Sequence, residues 1–498
     1  MRIPVSLFLI ACSPVDPGLV DAGASATLDG GAVERDAAAT DAASPAADAG
    51  PPRDVPPGCP FGGRPPVDDA PLAHASGRTE TVRAGGFVDE YLYDATDRFK
   101  IGIRREWGGS VVFFGEGGGR PGANPTNTID AADTGREVQI ALYDPDRHLQ
   151  GCAWDASCAS GGMACPEQIR YLGWNPVQGG NRCNQGSAVD RVAVSGGGLV
   201  ATVVPLQWNP DWAARDCTTD TCRGAGARAT SDVRVTQTAR FVRPRVVELR
   251  YRIENLADVD HRPTAQELPT MYSSYGRDGS QDLWRLMDPS GAQIPIDTPT
   301  GGDGFFYENF TASGPWVSLQ NDDLSHGVGI LYENGLRDFQ GWQQRSLPFN
   351  NVRSRVVFGL PARGVVHARA YLLLGSFATI AAEAASVLAA MPPFGWLDGP
   401  AAEVGAGPTP IHGWALDNRG VTAVEARIDE RVTVPLSYGA SRPDVCLAWP
   451  GYPRCDAVGF AGSHDFGPPT ACPHLVEIIA TDADGNRRTI AERLVTVR

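Results

Sequence analysis

Between Asn127 and Asn181 the chain concentrates side chains suited to holding a sugar. The segment opens N-T-I-D-A-A-D-T-G-R-E-V-Q (127–139) and closes Y-L-G-W-N-P-V-Q-G-G-N (171–181). Asp130, Asp133, Arg136, Gln139, Trp174, Asn175 and Gln178 offer planar hydrogen-bonding groups and flat apolar faces. A saccharide ring, which alternates hydroxyls with C–H patches, needs that mixture. The opposing reading is a loop network in which these groups satisfy one another and the nearby backbone.

Acid–base chemistry on a sugar needs a proton acceptor and a donor facing one ring, plus a cation for any carboxylate. His261, Glu267 and Tyr272 are the catalytic candidates, and Asp260-His261-Arg262 and Gln266-Glu267-Leu268-Pro269 lie just after a strand, where loops carry function. In a lyase, Arg136 or Arg262 would pair a uronate bidentately while Tyr272 or His261 abstracts the C5 proton. In a hydrolase, two carboxylates such as Asp133 and Glu267 would be required. Structural roles compete with each of these: an ion pair to an arginine for Glu267, a satisfied or solvated ring for His261. Trp174, Trp208 and Trp212 sit beside Asn, Pro and Gly, as stacking platforms do, whereas Trp316 lies in an apolar strand and reads as core.

Short β-type runs must position these groups. Arg83 to Tyr93, Phe99 to Trp107 and Ser110 to Phe114 are rich in β-branched and aromatic residues bounded by glycine. Residues 190–194 and 199–206 flank three glycines and predict a hairpin. Residues 232–241 and 247–254 alternate as half-buried strands around a turn at Arg243-Pro244. Further strands are expected at 316–319, 327–332, 352–360 and 365–374. One helix is expected from Phe377 to Met391, stopped by Pro392-Pro393. With 58 Gly and 40 Pro in 498 residues, the chain reads as all-β, built on a large antiparallel sandwich.

A strand entering a Gly-Gly turn (Ile101 to Gly109) precedes N-x-x-D-x-x-D-x-G-R and W-N-P-V-Q-G-G. Tyr251 to Asn255, Gln266-Glu267-Leu268-Pro269 and Trp316 to Ile330 complete the series. This order resembles the galactose-mutarotase-like super-sandwich, over residues 77–391. Members include sugar epimerases, polysaccharide lyases and accessory sandwiches of glycoside hydrolases, so the resemblance implies a polysaccharide or other glycan as partner. The mutarotase catalytic His and Glu have no counterpart assigned here.

Residues 398–498 carry Gly413-Trp414-Ala415-Leu416-Asp417, Y-G-x-x-R-P-D-V (438–445) and a hairpin signal at Asp484-Gly485. They resemble a bacterial immunoglobulin-like domain, a small β-sandwich that spaces or presents a neighbour. Asp482 and Asp484 raise calcium as an option, but a plain turn explains them with fewer oxygen ligands. No metal and no cofactor is expected.

The balance of 43 basic against 58 acidic residues, net charge -15, argues against nucleic acid or anionic lipid as a partner. Lys100 is the one lysine. At the N-terminus, Ile3 to Ala11 is apolar but well short of the roughly 18 residues a spanning helix needs. Leu9-Ile10-Ala11-Cys12 resembles the lipobox of bacterial lipoproteins. That implies a signal peptide over 1–11, lipidation of Cys12, and a cell-envelope location in which the lipid is the sole link to the membrane. Residues 12–76, dominated by Ala, Asp, Gly and Pro, read as a disordered tether.

Without Cys12, ten cysteines remain for disulfides, and short loops suggest Cys217–Cys222 and Cys446–Cys455. Residues 59–222 hold seven cysteines and 446–472 hold three. Either one bridge joins the two regions or each keeps a free thiol. No C-x-x-C pair points to zinc. Two functions fit the whole: a surface lipoprotein that binds and processes a polysaccharide, or a non-catalytic glycan-binding or structural protein on the same fold.

Overall fold

The computed structural model describes residues 55–62, 67, 74–117, 126–131, 135–143, 173–177, 186–206, 231–275, 282–296, 305–333, 335–344, 349–354, 356–449 and 452–498. Cys12, Asp133, Gln178, Trp208, Trp212, Cys217 and Cys222 lie outside these residues.

The chain is all-β. The larger sheet contains β1 (Ser76–Ala84), β2 (Phe87–Asp94), β3 (Phe99–Arg104), β4 (Val111–Glu116), β5 (Val138–Tyr143), β6 (His261–Tyr272), β7 (Phe305–Thr311), β8 (Asp338–Gln344) and β9 (Phe349–Ser354). Their spatial order is β1-β2-β3-β4-β5-β6-β9-β8-β7. The run expected from Arg83 to Tyr93 is in fact a hairpin corner. Gly85 and Gly86 both take positive φ (60° and 84°), the conformation a tight two-residue hairpin turn demands.

A second antiparallel sheet lies against the first. It is built from Arg191–Ser195, Gly198–Val203, Val233–Arg243, Val246–Asn255, Gly364–Leu374, Gly327–Tyr332 and Trp316–Gln320, paired in that order. The two sheets share one core, in which Ile101, Phe114, Val138 and Ile140 meet Leu249, Ile253, Ile330 and Leu372. Each such side chain contributes about 1.5–3 kcal/mol on burial.

The alternation of residues 247–254 correctly marks Val247, Leu249, Tyr251 and Ile253 as core, but their neighbours do not face water as a half-buried strand would. Glu248, Arg252 and Glu254 are buried too, and ion pairs make that tolerable: Arg240, Arg250 and Arg369 surround Glu248. The helix, Phe377–Leu388, ends three residues ahead of Met391 and is capped by the Ser376 hydroxyl, which accepts from the Thr379 N–H.

The C-terminal unit has its own core, with Ile411, Val424, Phe460, Ile478 and Val495 among its members. Its first strand, Phe394–Gly399, pairs with Pro408–Leu416, so regular structure resumes four residues before the expected 398. Cys446 and Cys455 are bridged. The two units share hydrogen-bonded backbone, because the start of Gly364–Leu374 pairs with Arg487–Val497. Glu333 lies at this junction, ion-paired with Arg488.

The disordered-tether expectation needs correction at its C-terminal end. Cys59 is bridged to Cys472, the Gly62 N–H donates to Glu430 at 3.0 Å, and Val67 and Thr489 exchange two hydrogen bonds. Composition could not foresee this, because the segment is held by a covalent link and a borrowed strand edge and not by its own apolar surface. The bridge also settles the odd cysteine counts: one disulfide joins the two regions. Replacing Cys472 by serine should lower the cost of freeing residues 55–62 by about 2–4 kcal/mol. Limited proteolysis should then cut that segment first, with the near-UV CD of the folded units unchanged. A segment as resistant as in the parent would show that the non-covalent contacts suffice.

Candidate functional site

The face of the larger sheet turned away from the core carries a polar row across five strands. Strand register aligns Gln139 (β5), Thr270 (β6), Arg353 (β9), Gln340 (β8) and Asn309 (β7). Their side chains are joined. Arg353 is ion-paired with Glu267, and its Nε donates to Gln340 Oε1 at 2.8 Å. Gln340 Nε2 donates to Asn309 Oδ1 at 3.1 Å. Glu267 also accepts from the Tyr143 hydroxyl at 3.0 Å and the Thr270 hydroxyl at 2.6 Å. The Arg353 guanidinium lies 5.7 Å from the Trp342 ring.

A β-bulge makes this arrangement possible. Glu267 and Thr270 are three apart and would face opposite sides of a regular strand; a register shift between them brings both to one face. Tyr143 is fixed from behind by Gln266, whose side-chain amide accepts from its N–H at 2.6 Å and donates to its C=O at 3.1 Å.

Gln139 is 3% exposed and donates to the Gly135 carbonyl, but its Oε1 has no partner. Asn351, one row over and also 3% exposed, leaves its Oδ1 unpaired. A buried amide oxygen without a donor costs about 1–3 kcal/mol. Two such acceptors near a half-exposed Tyr143, Tyr272 and Asn309 suit a ligand rich in hydroxyl donors.

The residues singled out from sequence do not converge as expected. Asp130 and Arg136 do meet, at 3.9 Å, beside the Ile129–Ser273 bridge. Asn175 is elsewhere, its Oδ1 accepting from the Val177 N–H in a local turn. Trp174 pairs with Leu142 at the far end of β5, roughly 13–20 Å from Arg136 at about 3.3 Å per residue. Its ring belongs to the sandwich core and meets the His261 ring edge-on at 5.1 Å, so it is not a stacking platform.

The three catalytic candidates fall on one strand, at the start, middle and end of β6. Neighbours in that series are roughly 15–20 Å apart, too far to serve one sugar ring. His261 is buried with Nε2 3.2 Å from Asp232, and Glu267 is held by Arg353, so both take the structural roles weighed against catalysis. Tyr272 is half-buried at the edge of the polar row. Arg353, Gln340, Asn309, Tyr143 and Asn351 went unrecognised in the sequence. The alternation Gln340-Gly341-Trp342-Gln343-Gln344 was the available signal that a strand presents a polar, aromatic face.

Among the described residues, no group of three or more His, Cys, Asp or Glu side chains is placed to hold a metal. Asp482 spends its oxygens on its own turn, accepting from the Asp484 and Asn486 N–H groups at 2.8 Å each.

No protein-family model matches the chain. No curated protein matches it either. Among solved structures, a polysaccharide lyase overlaps 80% of this chain at 8% identity and a TM-score of 0.30. This chain spans 46% of that lyase. A protein of Synechocystis sp. PCC 6803 overlaps 61% of this chain and 98% of its own length, at 12% identity and a TM-score of 0.33. A 4-alpha-glucanotransferase of Thermococcus litoralis overlaps 60% of this chain and 39% of its own, at 9% identity and a TM-score of 0.27. Overlaps this loose decide nothing about activity.

Proposed function

We propose that this chain is a glycan-binding protein of the cell envelope, lipid-anchored through Cys12, whose ligand lies along the polar row from Tyr143 to Asn309. The observation that carries this is the pair of unpartnered amide acceptors, Gln139 Oε1 in that row and Asn351 Oδ1 in the neighbouring one. Sugar hydroxyls are the donors such acceptors require. The binding reading is preferred to the processing one. Glu267 is the carboxylate at the centre of the row, and Arg353, Tyr143 and Thr270 already occupy its oxygens.

A panel of neutral and acidic polysaccharides, assayed by affinity electrophoresis, tests this. Tyr143→Phe combined with Asn309→Ala should weaken the tightest interaction about tenfold, the loss of roughly 1.4 kcal/mol of hydrogen bonding. Unchanged retardation of the double variant would remove the row from the binding surface. New reducing ends or unsaturated-uronate absorbance in the same mixtures would replace the binding reading with the enzymatic one.

A further inference from the structure

The same face of the larger sheet carries, at its β2–β4 end, a group the polar row does not use. Lys100 on β3 is 2% exposed. Its Nζ lies 4.5 Å from the centroid of the Tyr91 ring, 4.9 Å from Phe113 and 5.5 Å from Tyr93. Tyr91, Tyr93 and Phe113 form a small apolar cluster separate from the sandwich core. Gly102 lets this cluster close, since a Cβ there would stand 2.5 Å from the Tyr91 ring.

Among the described residues, no carboxylate or hydrogen-bond acceptor contacts the ammonium. The nearby cations differ in this respect. Arg78 pairs with Asp97 at 2.7 Å, and Arg104 pairs with Asp89 at 2.8 Å. Glu80, the carboxylate that would naturally serve Lys100, is taken by the Tyr93 hydroxyl at 2.6 Å. Burial accordingly pulls the lysine below its ordinary range, with the Glu80 charge opposing that only in part. Ring faces compensate a buried ammonium by about 0.5–2 kcal/mol, well short of a hydrogen-bonded counter-ion.

Composition makes the position stand out further. The chain holds 43 basic residues, of which Lys100 alone is lysine and the other 42 are arginine. Its ammonium, a compact point charge, sits among the three rings.

We infer that Lys100 is an anion-recognition point on this face, and that the glycan it serves carries carboxylates. This rests on the glycan-binding reading above and adds the ligand's charge. Lys100 lies three strand spacings from β6, roughly 14 Å across the sheet. The acidic group it receives therefore belongs to a different part of the ligand from the hydroxyls held by the row. The Tyr and Phe rings exclude water around the contact and strengthen it.

The test compares an oligogalacturonate with its carboxyl-reduced, neutral form, using the parent chain and Lys100→Met. The parent should bind the acidic form about tenfold more tightly, and Lys100→Met should lose that preference while keeping the neutral affinity. Because one lysine gives one resonance, [13Cε]lysine labelling of the parent provides a second readout that needs no variant. The acidic oligomer should shift that signal and the neutral one should not. An unchanged preference in Lys100→Met, or an unmoved lysine resonance under saturating acidic oligomer, overturns the inference alone. Failure of the parent to bind both these forms and a wider neutral and acidic panel overturns the glycan-binding reading and this one together.

Discussion

Glu248→Ala should lower the unfolding free energy by about 3–5 kcal/mol, the cost of stranding buried charge. Glu248 is 0% exposed, and its carboxylate accepts from Arg240 at 2.6 Å, Arg250 at 2.7 Å and Arg369 at 2.9 Å, with the Tyr371 hydroxyl at 3.3 Å. Burial by itself would push this carboxyl up, yet the three guanidiniums outweigh it and hold the group far below the usual carboxylate range. Removing it leaves three cations facing one another across Val233–Arg243, Val246–Asn255 and Gly364–Leu374, the centre of the second sheet. Urea unfolding followed by tryptophan fluorescence would register the change as a lower midpoint with a similar slope. A loss under 1 kcal/mol would mean that the arginines are served by other partners.

Asp417→Asn should act in the opposite direction, and only at neutral pH. Asp417 follows Pro408–Leu416 and is 3% exposed. Its Oδ1 accepts from the Arg419 N–H at 2.7 Å and the Gly420 N–H at 3.1 Å, while Oδ2 has no partner. Burial, followed by the charges of Asp482 and Asp484, raises its pKa to about 6. A carboxyl raised in the folded state favours folding while protonated. That contribution is complete below the unfolded pKa of 3.8 and is lost as pH rises through about 6. The difference corresponds to about 3 kcal/mol at most. An asparagine keeps the Oδ1 acceptor and never ionises. Its Tm should match the parent at pH 3.5 and exceed it at pH 7.5. Parallel Tm curves across that range would sink the assignment.

The all-β class, the hairpin at Gly196-Gly197, the register-setting turn near Pro244 and the Cys446–Cys455 bridge were all readable from local pattern. Local pattern carries turn chemistry and period-two alternation, and those features depend on nothing else. The site was not readable in the same way. Alternation in 247–254 separates two faces but does not tell that both become buried. Glu267 and Arg353 are 86 apart in sequence, and only sheet pairing makes them neighbours. The bulge between Glu267 and Thr270 reverses the face that counting by twos would assign. Trp174 has the sequence neighbours of a platform residue, yet its two-residue strand pairs with Leu142 and turns the ring inward. What misled was a density of suitable side chains within one segment, whereas the polar row draws single residues from five strands.

The Cys59–Cys472 bridge also decides how the molecule bears tension. A pull on the chain ahead of Cys59 enters the C-terminal unit at Cys472, directly before the strand His474–Asp482. From there it can leave through Arg487–Val497, paired alongside. Residues 60–75 and the whole larger sheet lie outside that load path. With the bridge closed, the larger sheet hangs as an unstrained side branch. With it reduced, the same pull would load the Gly62–Glu430 and Val67–Thr489 hydrogen bonds and, once they part, β1 at the edge of the sheet that presents Lys100.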